Sequence, residues 1–144
     1  VIRMVNFDVS IVRGKGRVRF VRQTGRTYTP DATAAAMEQI RAAYVRAANG
    51  AMAPKGTPVF VEIDTFRPLP KSRPKRVTYE PDVYKPDVDN ICKLVLDALN
   101  GTAWVDDTQV TDIEAHKHER SRSHPADHMH VCVSWPQGAD DGDV

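Results

Sequence analysis

The chain has 144 residues, 41% of them apolar and 27% charged, enough for one compact domain with a real core. No apolar run approaches the ~18 residues of a membrane span and no signal-peptide h-region opens the chain, so a helical membrane protein is excluded and a cytoplasmic one is expected. The net charge of +1 conceals an asymmetry: residues 1–86 carry 16 Lys/Arg against 7 Asp/Glu, and residues 87–144 carry 4 against 12.

A basic half can attract phosphates while an acidic half holds a cation. The two halves can equally neutralise each other across the fold, and composition leaves both readings open. Cys92 and Cys132 lack CxxC spacing and read as two reduced thiols.

Within residues 3–12, Val5, Phe7, Val9 and Ile11 recur with period 2 and predict a half-buried strand. From Arg13 to Pro30 the chain carries Arg13, Lys15, Arg17, Arg19, Arg22 and Arg26, with several glycines and no neighbouring acid. That reads as a loop or irregular ribbon suited to phosphate contact. Thr29 is placed to cap a helix with Pro30 at its first position. Ala34, Ala35, Met37, Ile40, Ala43, Tyr44 and Ala47 supply its apolar face, and Asn49-Gly50 ends it. Val59 to Thr65 alternates as a strand, with Glu62 and Asp64 on its second face.

Arg67 to Arg76 holds five cations, three prolines and no acid, which predicts an extended, mobile loop able to follow a phosphate backbone without reading bases. A second helix follows Asp89, with Ile91, Leu94, Val95, Ala98 and Leu99 on one side and Asp89 and Lys93 nearly opposite. Val110–His116 and Met129–Trp135 read as two strands joined as a hairpin. Residues 1–136 are expected to form a single domain, with a disordered acidic tail over 137–144.

The chemistry centres on two acid pairs. Asp87-Val88-Asp89 opens the second helix, and Asp106-Asp107 lies just beyond it. Asp89 also suits a helix N-cap, which does not explain Asp87 or the second pair. Clustered carboxylates resist ionising together unless a cation neutralises them, and oxygen-only donors suit Mg²⁺ or Mn²⁺. Such an ion polarises a phosphoryl oxygen and lowers the pKa of water, as phosphodiester hydrolysis requires. Lys93 can orient against the acids, stabilise charge on the phosphate, or form an i,i+4 salt bridge with Asp89 or Asp97. Asp97 reads as a structural partner. His116-x-His118 and His128-x-His130 match no standard closed zinc spacing and read as solvated imidazoles. No GxSxG, P-loop or GxGxxG is present.

Lys85-Pro86-Asp87-Val88-Asp89-Asn90, Lys93, Asp97-Ala98-Leu99-Asn100-Gly101 and Trp104-Val105-Asp106-Asp107-Thr108-Gln109-Val110 together resemble the RusA family of Holliday-junction resolvases. Gly25-Arg26-Thr27-Tyr28-Thr29-Pro30 and the Arg67–Arg76 loop resemble its phage and prophage branch. The resemblance covers most of residues 15–116, and Val18 departs from the proline common there. It implies a small α/β (α+β) fold, a two-layer sandwich of a small mixed β-sheet and about two main helices. It further implies a homodimeric, Mg²⁺-dependent endonuclease that makes paired symmetric nicks in four-way or branched DNA, leaving 5′-phosphate and 3′-hydroxyl ends. Mn²⁺ is a possible substitute metal. The family's catalytic acids carry over to Asp87, Asp89 and Asp107, its essential lysine to Lys93, and Asp106 is a further candidate ligand. Lys15, Arg17, Arg19, Arg67, Lys71, Arg73, Lys75, Arg76 and Lys85 are the candidate DNA contacts. A DNA-binding protein of the same fold without catalysis is the competing reading.

Overall fold

The computed structural model describes residues 1–16, 19–28 and 31–138. The expected Thr29-Pro30 cap, Arg17, Val18 and the acidic end of the tail lie outside them. In chain order the elements are β1 (Ile2–Val9), β2 (Arg19–Val21), β3 (Arg26–Tyr28), α1 (Asp31–Ala48), β4 (Val59–Phe66), β5 (Tyr79–Glu80), α2 (Val88–Leu99), β6 (Val110–Lys117), β7 (Arg120–Ser121) and β8 (His128–Pro136).

Four of the strands form one mixed sheet in the order β1-β8-β4-β6. β8 runs antiparallel to both neighbours, whereas β6 runs parallel to β4. The last two long strands are therefore not the expected hairpin, because β4 lies between them. Period-2 alternation identifies a half-buried strand but carries no information about its neighbour. The remaining strands make two short antiparallel ribbons, β2 with β3 and β5 with β7.

The alternation of each long strand sorts its side chains between two faces. Val5, Phe7 and Val9 of β1, Val61 and Ile63 of β4, and Val131 and Val133 of β8 are buried with the two helices in one core. α2 buries Ile91, Leu94, Val95, Ala98 and Leu99, the face its sequence predicts. α1 buries Thr33, Ala36, Ile40, Ala43, Tyr44 and Ala48. Ile40, Ala43 and Tyr44 fall on the predicted stripe, but Ala34, Ala35 and Ala47 are exposed. In a helix so rich in alanine, the small side chains give little contrast between faces. Asn49 and Gly50, both at positive φ, follow α1 as expected.

The segment expected to be a mobile loop is instead tied down. Arg67 donates to both carboxylate oxygens of Asp82, at 2.9 and 2.6 Å. Glu80 lies between Arg73 and Arg120, accepting from the former at 3.0 Å and the latter at 2.6 Å. Arg122 donates to the carbonyls of Arg73, Pro74 and Val77. The partners that order this arm come from residues 80–122, beyond the proline-rich stretch itself. Burial of the Asp82 carboxyl opposes its ionisation. The Arg67 hydrogen bonds and charge, helped by Lys117, outweigh that and hold its pKa below the usual carboxylate range.

Candidate active site

Lys85-Pro86 delivers the chain to α2. The first intrahelical bond runs from the Ile91 N–H to the Asp87 carbonyl at 3.1 Å, so the helix is capped at Asp87 and not at Asp89. Asp87 has extended backbone and makes no side-chain cap bond. Asp89 falls in the first turn, where the helix dipole favours its negative charge. Asp87, Asp89 and Lys93 are all exposed, and their side chains make no hydrogen bond or ion pair among the described residues.

The segment Arg13-Gly14-Lys15-Gly16 crosses this end of α2. The Lys15 N–H donates to the Asn90 carbonyl at 3.0 Å, and the Gly16 N–H donates to Thr33 Oγ1 at 3.1 Å. A Cβ on Gly14 would meet Asn90 Cβ at 2.9 Å and Pro86 Cβ at 3.0 Å, so the close crossing requires glycine. Between the crossing segment and the helix start lies a cleft of about 910 Å³, lined by Arg13, Lys15, Lys85, Asp87, Asn90 and Lys93. Lys15 also forms an ion pair with Asp97, so Asp97 is a structural partner of Lys15 and not of Lys93.

The second acid pair is held differently. Asp106 caps a single 3₁₀ turn at Asp107–Gln109, accepting from the Thr108 N–H at 3.1 Å. Gln109 completes a capping box by accepting from the Asp106 N–H at 3.0 Å. Its amide nitrogen donates to the Pro54 and Thr57 carbonyls at 2.8 and 3.0 Å, locking this turn to the approach to β4. Asp107 Oδ1 accepts a 2.7 Å hydrogen bond from the indole of Trp104, whose side chain is fully buried.

The two pairs do not meet within the chain. Asp87 and Asp89 sit where α2 begins, beside the segment leaving β1. Asp107 lies beyond the other end of the helix, where β6 starts alongside the first residue of β4. Twelve helical residues span about 18 Å. Among the described residues no three His, Cys, Asp or Glu side chains converge as a metal centre. The oxygen donors themselves suit a hard cation such as Mg²⁺.

The family model of endodeoxyribonuclease RusA matches residues 11–126. The chain belongs to the RusA family. The match embraces both acid pairs, Lys93, Gln109 and the cationic arm, and the observed α+β architecture agrees with the fold that the resemblance implies. The chain is also 40% identical over 68 residues to the uncharacterised protein YqaN of Bacillus subtilis (strain 168), covering 42% of this chain. It spans about half, 48%, of that relative's length.

The candidate DNA contacts of this RusA family member divide into two groups. Arg67 and Arg73 are engaged with Asp82 and Glu80, and Lys15 with Asp97. Lys71, Lys75, Arg76 and Lys85 are exposed, with no ion pair among the described residues. Arg19 lies in β2. The histidines also acquire partners. Asp8 accepts from His128 and His130 at 2.8 and 2.9 Å, and His118 bonds Asp64 at 2.6 Å. No helix of the described residues is long and apolar enough to cross a membrane.

Sequence reading missed the roles of Trp104 and Gln109, and it named Arg13 only within the basic run, not as part of the cleft. Trp104 and Gln109 stand three residues from Asp107 and Asp106 respectively, within the motif already singled out, so their spacing was a usable signal. Arg13 had only its charge to mark it.

Proposed function

We propose that this protein is a Mg²⁺-dependent, structure-selective endodeoxyribonuclease that cuts four-way and branched DNA by paired symmetric nicks. Family membership supports the reaction class. The observation that carries the reading is the cleft at the start of α2, where Asp87 lies among Arg13, Lys15, Lys85 and Lys93. An exposed carboxylate without a side-chain partner among the described residues, in a cleft it shares with cations, suits a site that receives a cation and a phosphate together.

Asp87, Asp89 and Asp107 would hold the metal, with Asp106 committed first to its turn. Mg²⁺ bound there supplies the charge that polarises a phosphoryl oxygen and acidifies water. Lys93, one turn inside α2, stabilises the negative charge that develops on the phosphate. Arg13 and Lys85 hold the flanking backbone. Lys71, Lys75 and Arg76 extend the phosphate track along the arm.

The distance between the acid pairs supports a homodimer in which Asp107 of one copy completes the site opened by Asp87 and Asp89 of the other. β6 is an edge strand of the four-stranded sheet, and its outer side is available to a second copy. Twofold symmetry then generates two equivalent sites, as two symmetric cuts require.

Mixing inactive Asp87→Asn and Asp107→Asn proteins under conditions that exchange subunits tests this arrangement. A shared site predicts that mixed dimers regain one intact centre and nick one strand of a synthetic four-way junction. A site made within each chain predicts no recovery. Wild-type protein that binds the junction but leaves it uncut in Mg²⁺ and Mn²⁺ points instead to a non-catalytic branched-DNA binder.

A further inference from the structure

We infer that Tyr84, with Val83 beside it, is a stacking platform for an unpaired nucleobase at the DNA branch point. This inference rests on the reading of the neighbouring cleft as the site that holds the scissile phosphate.

Three large apolar residues near Asp87 remain out of the core: Val83 is 78% exposed, Tyr84 42% and Val88 43%. They fall within six positions of one another, in a stretch whose ordering is otherwise polar. Burial does not account for them, and apolar groups gathered beside a charged cleft mark a contact surface.

Tyr84 is held in place before any ligand arrives. The Arg120 guanidinium lies 4.0 Å from its ring centroid, and that of Arg73 lies 5.9 Å away. Arg73 also donates to the phenol oxygen at 3.3 Å, and Lys117 donates to the Tyr84 carbonyl. Arg120 is anchored in turn by Glu80. Arg120 covers one face of the ring while the residue as a whole stays 42% exposed, and a side chain fixed in this way loses little freedom on binding.

The surroundings select the occupant. Lys85, next in sequence, lines the cleft with Asp87. Glu80 and Asp82, which precede Tyr84, are already paired with arginine, and Asp87 beyond it belongs to the cleft. A partner that brings a flat apolar face together with negative charge fits this setting, and a nucleotide has both in one unit. Base faces are covered in a continuous duplex and become available where strands exchange or unstack. Stacking accepts any base, so the platform favours branched over linear DNA without reading sequence.

The test uses four-way junctions and matched duplexes carrying 2-aminopurine at the branch point or the equivalent duplex position, with no divalent cation present. Wild-type protein is expected to change the fluorescence of the junction probe and leave the duplex probe unaltered. Tyr84→Phe should retain junction affinity, while Tyr84→Leu, which keeps apolar volume without an aromatic face, should lose roughly tenfold. Duplex affinity should not change. Equal loss on junction and duplex, full junction affinity in Tyr84→Leu, or a silent probe with wild-type protein overturns the inference. Thermal unfolding of each variant separates lost stacking from lost fold, and an unstable Tyr84→Leu is replaced by Val83→Ser, read in the same way. Cleavage by wild-type protein in Mg²⁺ is measured separately, so failure of the nuclease reading is visible on its own.

Discussion

The acid pairs at the two ends of α2 are similar in sequence and opposite in construction. Asp87 and Asp89 are exposed and make no polar side-chain contact among the described residues. Asp106 and Asp107 are both spoken for, one by the backbone of its own turn and the other by a buried indole. A carboxylate with no side-chain partner among the described residues is available to a ligand from outside. A carboxylate fixed by a buried donor is presented at a defined angle, and its geometry is set by the fold. Two adjacent acids in a sequence therefore need not share a job, and the local partners decide between them.

The contrast predicts its largest effect at Asp87. Asp87→Asn should lower junction cleavage by about a thousandfold, the rate equivalent of the several kcal/mol that a metal ion's charge supplies. Junction binding and thermal stability should persist, since the side chain makes no cap bond. Parallel cleavage and gel-shift titrations check this. A variant that cuts normally in Mg²⁺ would remove Asp87 from the site.

Asp82 shows what a fully committed acid costs to disturb. Its side chain is buried against the partly buried Arg67, so Asp82→Asn removes the hydrogen-bonded counter-charge of that guanidinium and should cost about 2 kcal/mol near neutral pH. The folded-state pKa of Asp82 is depressed. Its contribution is thus complete above the ordinary carboxylate range and is lost as pH falls through the folded value. Urea unfolding across that range should show the gap between wild type and Asp82→Asn narrowing toward acid. A gap independent of pH would mean that packing, and not charge, carries the effect.

These comparisons show which parts of the molecule were legible in the sequence. The buried face of α2 was, because Ile91, Leu94, Val95 and Leu99 contrast sharply with Asp89 and Lys93. The acid motifs and the fold class were legible through their resemblance to a family. The ordered arm was not, because Arg67, Arg73 and Pro74 meet partners from Glu80 to Arg122 that nothing in the local sequence announces. Nor was the separation of the acid pairs. A short connection after a helix looks like proximity to its start only when the length of the helix is left out.

Trp104→Phe tests the oriented half of the site. The substitution keeps a buried aromatic ring and removes the N–H that fixes Asp107. Partners that orient a metal ligand are typically worth about 10- to 100-fold in activity or metal affinity. Cleavage should fall into that range, with a higher Mg²⁺ concentration needed for half-maximal rate. An unchanged Mg²⁺ requirement would assign Trp104 to the core alone.

The smallest effect belongs to Asp106. Asp106→Ala removes a side-chain cap from one short turn, while Gln109 still binds the Val105 N–H and the Pro54 and Thr57 carbonyls. Loss of an N-cap costs roughly 1 kcal/mol. The melting temperature should therefore drop by a few degrees, with junction cleavage reduced much less than in Asp87→Asn. Since Asp106 and Asp107 are adjacent, this variant also separates the two acids of the pair. A collapse of cleavage at unchanged stability would transfer ligand duty from Asp107's neighbourhood to Asp106 itself. A modest loss that follows stability leaves Asp106 as the residue that shapes the turn and Asp107 as the one presented to the metal.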